Sequence, residues 1–341
     1  MKKKKTIKIN FKYFWENFNS EDNLFTNLLR KRYNVIISDK PDYLFYSVFP
    51  EAKEVKDLSK KGDFLKKISP KLYVFMRKLY VGLKNFKKSN RPLVPEGNFI
   101  KIFHGAEHVM PNMDECDWAF STHFEDEIKN PRYMRIPAFM MVDYQLKNFG
   151  SPNLNRKIEF KKIKKEKTKF CNFLYSQEVS ARNNFFKKLN EYKKIDAPGR
   201  CMNNMPPIGS HLSARKSRSS DNWVKEKLNF LKKYKFTIAF ENVSLSGWTT
   251  EKLTHPLMAN SIPIYVGNKD VDKDFNTKCF INYHDFDSMD EFVKHIIKVD
   301  NDDNLYKEYL KQPIYPTQEA YKLSRTDRME KRLKKIIENE K

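Results

Sequence analysis

The 341-residue sequence has few cysteines and few glycines, and it lacks any long apolar run. Its four cysteines, Cys116, Cys171, Cys201 and Cys279, are far apart, so neither a Cys-x-x-Cys zinc site nor a disulfide framework is indicated. No stretch approaches the roughly 18 consecutive apolar residues that a membrane-spanning helix needs. After MKKKK, apolar and polar residues alternate, unlike the continuous apolar core of a signal peptide. We therefore expect a cytoplasmic protein.

Acidic residues are outnumbered, because 43 Asp and Glu stand against 66 Lys and Arg and give a formal charge of +23. Such a balance suits a polyanionic partner, whether nucleic acid, an anionic membrane or a phosphorylated substrate. Lysine runs such as KKIKKEKTK at 161–169 are equally typical of a solvated surface. The sequence contains no nucleic-acid recognition motif, and its aromatic residues recur mainly at core spacing, so we expect no nucleic-acid partner.

What the sequence does contain is an alternation of short β-rich runs and amphipathic helices in both halves. The N-terminal half begins with alternating Ile7, Ile9 and Phe11, then a helical pattern, then further strand-like runs. In the C-terminal half, strands predicted from KFCNFLYS, FTIAFEN and SIPIYVG alternate with helices predicted from SARNNFFKKLNEY, TTEKLTHPLMAN and SMDEFVKHIIKV. This order predicts two doubly wound α/β domains with parallel sheets.

The predicted domain boundaries follow changes in composition. We expect an N-terminal domain at 1–145, a polar linker at 146–168, a C-terminal domain at 169–313 and a charged helical tail at 314–341. A basic segment at 51–92 interrupts the first domain.

Within that segment, Leu72, Phe75, Leu79 and Leu83 share one face of a predicted helix, with Lys and Arg opposite. The helix either packs on its own domain or lies on an anionic membrane surface.

Polar residues collect where strands of the C-terminal half end. Glu241 and Asn242 end one strand, and Glu251 and Lys252 begin the next helix. The free N–H groups of a helix start suit phosphate, Lys252 would add positive charge, and Glu251 could accept hydrogen bonds from sugar hydroxyls. Arg182 lies near another helix start, where a guanidinium can bind a diphosphate in bidentate fashion. The pattern favours a nucleotide-sugar pocket, although Glu251 can also be an ordinary first-turn residue and the two cations solvated ones.

Three blocks of the sequence closely resemble the α-1,3/4-fucosyltransferase family. They are FTIAFEN, GWTTEKLTHPLMANSIPIYVG and DVDKDFNTKCFINYHDFDSMDEFV, and they span 236–293. The family pattern is approximately F-x-x-x-F-E-N, G-Y-x-T-E-K, I-P-I-Y-W-G and D-F-N-P-K-S-F-I-N-x-x-D-F. The resemblance implies an inverting glycosyltransferase with the GT-B architecture, two facing Rossmann-like domains. The C-terminal domain would bind GDP-L-fucose, and the N-terminal domain would supply the base and the acceptor site.

The resemblance also implies roles for individual residues of the donor pocket. Arg182 and Lys252 would bind the donor diphosphate and Glu251 the sugar hydroxyls, with four further lining residues: Glu241, Asn242, Tyr175 and Trp248. The sequence departs from the family pattern at several positions. Trp248 replaces the usual Tyr, Val266 replaces a Trp, and His255 and Pro256 stand where acidic or small residues are preferred, which affects the fine structure of the donor site.

In the N-terminal half, FHGAEHVMPNMDECDWAF resembles the family stretch G-E-N-x-x-P-N-F-x-x-C-D-Y-A-F, with Ala106 where glycine is usual. The resemblance makes Glu107 the general base, which inversion requires because a carboxylate must take the proton of the attacking hydroxyl. His104 and His108 flank Glu107, but the order His-Glu-x-x-His is absent and no third ligand is apparent. We therefore predict no metal ligand and no cofactor.

The implied reaction transfers L-fucose from GDP-fucose to the 3-hydroxyl or 4-hydroxyl of N-acetylglucosamine in a Galβ-GlcNAc-type glycan. Lipopolysaccharide or a related glycoconjugate is the expected acceptor, and the inner membrane face is a second expected location beside the cytoplasm. Three alternatives remain open: the same fold with another GDP-sugar, a glycan-binding pseudoenzyme, and a nucleic-acid-binding protein.

Overall fold

The computed structural model describes residues 4–15, 18–49, 94–105, 107–143, 158–208, 221–323 and 325–338. The basic segment predicted at 51–92 lies outside these residues, so both interpretations of its helix remain predictions. The chain forms two compact units, Met1–Arg135 with Glu330–Lys341, and Ile136–Met329. We call them the N-terminal and the C-terminal unit.

Within the described part of the N-terminal unit, six parallel strands form one sheet in the order β2-β1-β3-β4-β5-β6. The strands are β1 (Thr6–Lys12), β2 (Asn34–Ile37), β3 (Tyr43–Tyr46), β4 (Ile100–His104), β5 (Trp118–Ser121) and β6 (Tyr133–Arg135). Helix α1 (Leu24–Arg30) follows β1, and α2 (Glu125–Ile128) precedes β6. Ile7 and Ile9 are buried on alternate positions of β1, as the sequence pattern predicted. The predicted parallel α/β arrangement of this half is confirmed.

The C-terminal unit contains a second parallel sheet, which has five strands among the residues described, in the order β11-β10-β9-β7-β8. They are β7 (Lys169–Asn172), β8 (Ile195–Asp196), β9 (Tyr234–Phe240), β10 (Ile262–Val266) and β11 (Ile281–Asn282). The helices of this unit are α3 (Ala138–Asp143), α4 (Phe160–Glu166), α5 (Ser180–Tyr192), α6 (Asp221–Leu231), α7 (Glu251–Met258), α8 (Met289–Asn301), α9 (Asp303–Lys311) and α10 (Gln318–Leu323). The predicted second doubly wound domain is therefore confirmed.

Local sequence explains where helix α8 begins. The predicted cap of α8 is present, because Ser288 Oγ accepts a hydrogen bond from the Glu291 backbone N–H at 3.2 Å. The central strands β9 and β10 are almost wholly buried, as expected for a parallel sheet covered on both faces. The four cysteines are buried free thiols.

The division into units differs from the boundaries that composition predicted. Helix α3 belongs to the C-terminal unit, where the Phe139 N–H donates to the Thr249 carbonyl at 3.0 Å. Helix α4 lies in the predicted linker, yet its Ile163 is buried in the core of that unit.

The predicted tail ends in helix α11 (Thr326–Glu338), and residues from Glu330 onward belong to the N-terminal unit. There Glu330 pairs with Lys31 and Arg32, and the Tyr43 hydroxyl donates to the Ile337 carbonyl at 3.1 Å. Among the described helices, α11 included, none is both long and apolar enough to span a bilayer.

Because every strand pair in the C-terminal sheet is parallel, the carboxyl ends of β7, β9 and β10 meet at one edge. Ligands of doubly wound sheets bind beyond this edge. Tyr175, Glu241 and Gly267 follow these three strands in turn. This edge therefore carries Tyr175 and Glu241, two of the residues in which the sequence predicted a donor pocket.

Candidate functional site

Glu241 lies directly after β9 and forms a buried ion pair with Lys252. Its side chain is 0% exposed, and Lys252 Nζ lies 2.9 Å from Oε2. The backbone N–H and the hydroxyl of Thr250 both donate to Oε1 at 2.8 Å. Burial raises the pKa of the Glu241 carboxyl, and the Lys252 charge opposes this rise. Glu241 thus holds the start of α7 and the Lys252 ammonium group; its predicted role as pocket lining stays a prediction.

Helix α7 begins with a side-chain cap that also orients Lys252. Thr250 Oγ1 accepts from the Lys252 backbone N–H at 3.4 Å and from Lys252 Nζ at 3.2 Å. Glu251, the first residue of the helix, is partly exposed. Burial alone would raise its pKa, but the positive charges of Lys227 and Lys252, with His255, lower the pKa to about 2. Glu251 is therefore ionised at neutral pH and able to accept hydrogen bonds from hydroxyl groups.

Arg182 lies on α5 and is 1% exposed, contrary to the usual position of a lone arginine. Its guanidinium carbon lies 3.6 Å from the centroid of the Tyr175 ring. Nη1 donates to Asn242 Oδ1 at 3.1 Å and Nη2 to the Gln177 carbonyl. Nε has no hydrogen-bond partner among the residues described, and burial lowers the pKa of the guanidinium group. A buried arginine with an unused N–H beside a strand end is the arrangement that an anionic ligand would complete.

Tyr175 is itself buried, and its hydroxyl is occupied by the main chain of β9. The hydroxyl donates to the Ile238 carbonyl at 2.9 Å and accepts from the Phe240 N–H at 2.7 Å. Burial raises its pKa, so the phenol stays neutral. These contacts make Tyr175 the platform under Arg182, and its predicted direct contact with the donor stays a prediction.

Asn242 and Trp248 lie on the loop at 242–249 that joins β9 to α7. Asn242 is exposed and holds Arg182 through its Oδ1 atom. Trp248 is partly buried, and its backbone N–H donates to the Leu245 carbonyl at 3.2 Å. The structure thus brings six predicted donor residues, Tyr175, Arg182, Glu241, Asn242, Glu251 and Lys252, into one connected region, with Trp248 on the loop beside them.

Glu107 lies in the N-terminal unit, three residues after the end of β4, and it is exposed. Its carbonyl accepts from the Val109 N–H at 2.7 Å, which closes a tight turn. The neighbouring His108 ring stacks on His123 with centroids 4.0 Å apart. Its Nδ1 lies 2.8 Å from Thr122 Oγ1. An exposed carboxylate on a hydrogen-bonded turn is able to accept a proton, and the role of Glu107 as the general base remains a prediction.

The histidines that flank Glu107 take part in packing. His104 is buried against the rings of Phe14 and Phe25, and burial lowers its pKa to about 4. Burial and the neighbouring His123 likewise lower the pKa of His108 to about 4. Both rings are therefore neutral at pH 7. In the portion of the chain covered by the structure, no group of three or more His, Cys, Asp and Glu is placed to hold a metal ion.

Gly267, which follows β10, is a residue whose role the sequence reasoning did not identify. A Cβ atom at this position would lie 2.6 Å from the Tyr265 hydroxyl and 2.7 Å from Glu241 Cγ. Only glycine lets the β10 strand end approach the buried carboxylate this closely. The signal was available in IPIYVG, where a glycine directly follows a buried strand.

Replacing Gly267 with alanine is expected to displace the Glu241 side chain and with it Lys252. We expect GDP to bind about tenfold more weakly, because a misplaced cation loses its charge-assisted hydrogen bond. Isothermal titration calorimetry with GDP measures this change. The control is Gly97→Ala in the N-terminal unit, where an added Cβ would collide with the Phe99 ring. Equal GDP affinity in the two variants would show that Gly267 is not needed to position Glu241 and Lys252.

Comparison with known proteins places the chain in a family. Residues 163–335, just over half of the chain, match "Glycosyltransferase family 10 (fucosyltransferase) C-term", and residues 9–58 match "Alpha-(1,3)-fucosyltransferase FucT N-terminal domain". A putative fucosyltransferase, R654, of Acanthamoeba polyphaga mimivirus is 38% identical over 151 residues, which cover 44% of this chain and 25% of the relative. Alpha-(1,3)-fucosyltransferase FucT of Helicobacter pylori is 28% identical over 238 residues, which cover 65% of this chain and 48% of the relative. The chain therefore spans about half, or less, of the length of these relatives.

Solved structures agree on the fold. A crystal structure of an α1,3-fucosyltransferase is 21% identical, with a TM-score of 0.68 over 99% of this chain and 92% of that one. The crystal structure of α1,3-fucosyltransferase with GDP-fucose is 20% identical, with a TM-score of 0.69 over 100% and 93% of the two chains. The fold is GT-B, with two Rossmann-like parallel α/β domains, as predicted. The chain is thus a member of glycosyltransferase family 10, the α-1,3-fucosyltransferase family that its strand-end motifs resemble.

Proposed function

We propose that this protein transfers L-fucose from GDP-fucose to the 3-hydroxyl or 4-hydroxyl of N-acetylglucosamine in a Galβ-GlcNAc-type glycan, with inversion at the anomeric carbon. The observation that carries the proposal is the pair of cations at the carboxyl edge of the C-terminal sheet. Arg182 is held by Tyr175 and Asn242, and Lys252 is held by Glu241. Cations that are held in place before the ligand binds can stabilise the negative charge that develops on a departing nucleoside diphosphate.

The chemistry at the donor follows from these contacts. As the bond between the anomeric carbon and the diphosphate oxygen lengthens, negative charge grows on the phosphate. Two of the three N–H bonds of Lys252 Nζ are used by Glu241 and Thr250, and the third can donate to a phosphate oxygen. Arg182 Nε offers a second donor. Ionised Glu251 would accept hydrogen bonds from the fucose hydroxyls.

The attack on the donor requires a base, and we propose Glu107 for this role. An inverting displacement needs the acceptor hydroxyl to lose its proton as the oxygen attacks the anomeric carbon. Glu107 is an exposed carboxylate after a strand end, at the position where the family motif has its glutamate. The proton passes to a Glu107 carboxylate oxygen, and GDP leaves with the electron pair of the broken bond.

A matrix of donors and acceptors tests the proposal. GDP-fucose, GDP-mannose and UDP-galactose are each incubated with N-acetyllactosamine, which offers a free 3-hydroxyl, and with lacto-N-biose, which offers a free 4-hydroxyl. We expect transfer from GDP-fucose alone. Transfer from GDP-mannose would replace the proposed sugar, and glycan binding without turnover would support the pseudoenzyme alternative.

We also propose lipopolysaccharide, or a related phosphate-bearing glycoconjugate, as the acceptor, encountered in the cytoplasm at the inner membrane face. The support is the formal charge of +23, which favours a phosphate-rich partner. Transfer to intact lipopolysaccharide should exceed transfer to the free oligosaccharide at low salt, and the advantage should disappear at high salt. Equal rates at all salt concentrations would contradict this choice of acceptor.

No metal is proposed for the reaction, because Arg182 and Lys252 would supply the positive charge at the diphosphate. We therefore expect the transfer rate in excess EDTA to equal the rate in buffer alone. The measurement is the initial rate of GDP release with both substrates saturating. A loss of rate that manganese restores would show that protein cations alone are insufficient.

A further inference from the structure

Asn268 is a buried residue of the C-terminal unit to which neither the motifs nor the comparisons assign a role. It follows Gly267 at the end of β10 and is 0% exposed. Its Oδ1 atom accepts from the Gly247 N–H at 3.1 Å and from the Asp270 N–H at 2.9 Å. Its Nδ2 atom donates to Thr249 Oγ1 at 3.2 Å, and its own backbone N–H donates to the Tyr265 hydroxyl at 2.9 Å. One side chain thus joins two separate turns at the same edge of the sheet.

The turn that contains Gly247 and Thr249 is the loop at 242–249, which precedes α7. Asn242, Val243, Ser244 and Leu245 are exposed, so the loop has little packing of its own at this end. Gly247 adopts a left-handed φ of 74°, a conformation that glycine favours. The exposed end of the loop therefore depends on hydrogen bonds for its position.

Several hydrogen bonds join the loop to the β10 turn. Ser244 Oγ donates to the Gly267 carbonyl, while Asn268 holds Gly247 and Thr249. Farther along, Glu241 holds Thr250. Trp248 lies between the two residues that Asn268 binds, so these bonds fix the backbone on both sides of it.

From this arrangement we infer that Asn268 is a positioning residue that fixes the Trp248 loop in the shape that binds GDP-fucose. The inference rests on the proposed function of the site. Without the Asn268 side chain, the buried N–H of Gly247 loses the Asn268 acceptor, and the loop loses a tie that keeps it against β10. The loop must then become ordered when GDP-fucose binds, and the free energy that this ordering costs lowers the affinity for GDP-fucose.

The test compares three variants in the full-length protein. Asn268→Ala removes all three side-chain hydrogen bonds. Thr249→Val removes the partner of Nδ2, together with the Thr249 hydroxyl contact to Tyr265, and leaves both bonds to Oδ1, so it is the milder variant should the first fail to fold. Asn172→Ala is the matched control, because Asn172 is also 0% exposed and its Nδ2 bonds the Phe236 carbonyl and Thr237 Oγ1 within the same sheet.

We expect Asn268→Ala to raise the KM for GDP-fucose and the Kd for GDP by at least about tenfold, with kcat at saturating donor and the acceptor KM nearly unchanged. Thr249→Val should raise the same two constants less, and the double variant should bind GDP no more weakly than Asn268→Ala. Asn172→Ala should lower the melting temperature and leave the GDP affinity unchanged.

Two results would overturn the inference, and they are distinguishable from failure of the proposed function. If Asn268→Ala and Thr249→Val bind GDP as tightly as the Asn172→Ala control, Asn268 only stabilises the fold. If Asn268→Ala changes the acceptor KM instead, the loop serves another ligand. If the wild-type protein itself binds no GDP-fucose, the proposed function fails, and this inference fails with it.

Discussion

Replacing Glu107 with glutamine is expected to lower the rate of fucose transfer by about 10²-fold to 10⁴-fold, the usual contribution of a general base. Glutamine keeps the size and the hydrogen-bonding shape of the side chain but cannot take a proton. GDP-fucose should bind with unchanged affinity, because the proposed donor contacts lie on the C-terminal unit. Single-turnover rates and calorimetric titration with GDP-fucose measure the two quantities separately.

The control for this experiment is Glu96→Gln, which neutralises another exposed glutamate of the same unit. Its transfer rate should equal that of the wild type. A Glu107→Gln variant that retains the wild-type rate would remove Glu107 from the mechanism, and a variant that loses donor affinity as well as rate would indicate a role in binding.

Replacing Arg182 with lysine should lower kcat/KM by about 10²-fold, equivalent to about 2.7 kcal/mol of transition-state stabilisation. Lysine keeps the charge but loses the planar group that lies over the Tyr175 ring. It also loses the simultaneous bonds to Asn242 and the Gln177 carbonyl. The positive charge is then no longer held where a diphosphate would meet it.

Steady-state kinetics with GDP-fucose measures this effect, and Arg200→Lys provides the control, since Arg200 is exposed in the same unit. If Arg182→Lys keeps the kinetics of the wild type, the guanidinium is structural and Lys252 would be the sole cation proposed at the diphosphate.

The strands and helices around the site could be predicted because their signals are local. The helix predicted from SARNNFFKKLNEY coincides with α5, and the capping serine of α8 is used as its spacing indicated. The strand-end positions of Glu241 and Gly267 also follow from short apolar runs. Periodicity over a few residues is enough for such predictions.

The contacts that give the site residues their roles join distant parts of the sequence. Arg182 meets Asn242 across 60 residues, and nothing near Arg182 distinguishes it from a surface arginine. The Tyr175 hydroxyl bonds the main chain of β9, 63 residues further on, a contact that no short segment of the sequence indicates. Asn268 is a common kind of turn residue, so its sequence neighbourhood gives no sign of what it holds.

The domain boundaries illustrate the same limit. The Lys-rich composition of α4 suggested a linker, but Ile163 gives the helix one buried position in the C-terminal unit. Helix α11 reads as a charged tail, yet Met329, Leu333, Ile336 and Ile337 are all buried. A few apolar residues at helical spacing are enough to pack a charged helix against a core, because their burial is favourable while the charged neighbours on the other face stay in water.

The two carboxylates of the strand-end motif have different environments, although the sequence presents them alike. Glu241 is buried and bonded to Thr250 and Lys252, so we expect it to affect a ligand only through the lysine that it positions. Glu251 is partly exposed, and the surrounding positive charges hold it in the ionised form. We therefore expect Glu251, rather than Glu241, to accept hydrogen bonds from the donor sugar.

The central claim is that the carboxyl edge of the C-terminal sheet binds GDP-fucose through Arg182 and Lys252. Calorimetric titration of GDP-fucose into the wild-type protein and into Lys252→Met, both in EDTA, tests it most directly. The account predicts one binding site, with affinity at least about tenfold weaker in the variant because the methionine has no charge. Equal affinity in the two proteins, or no binding to the wild type, would contradict it.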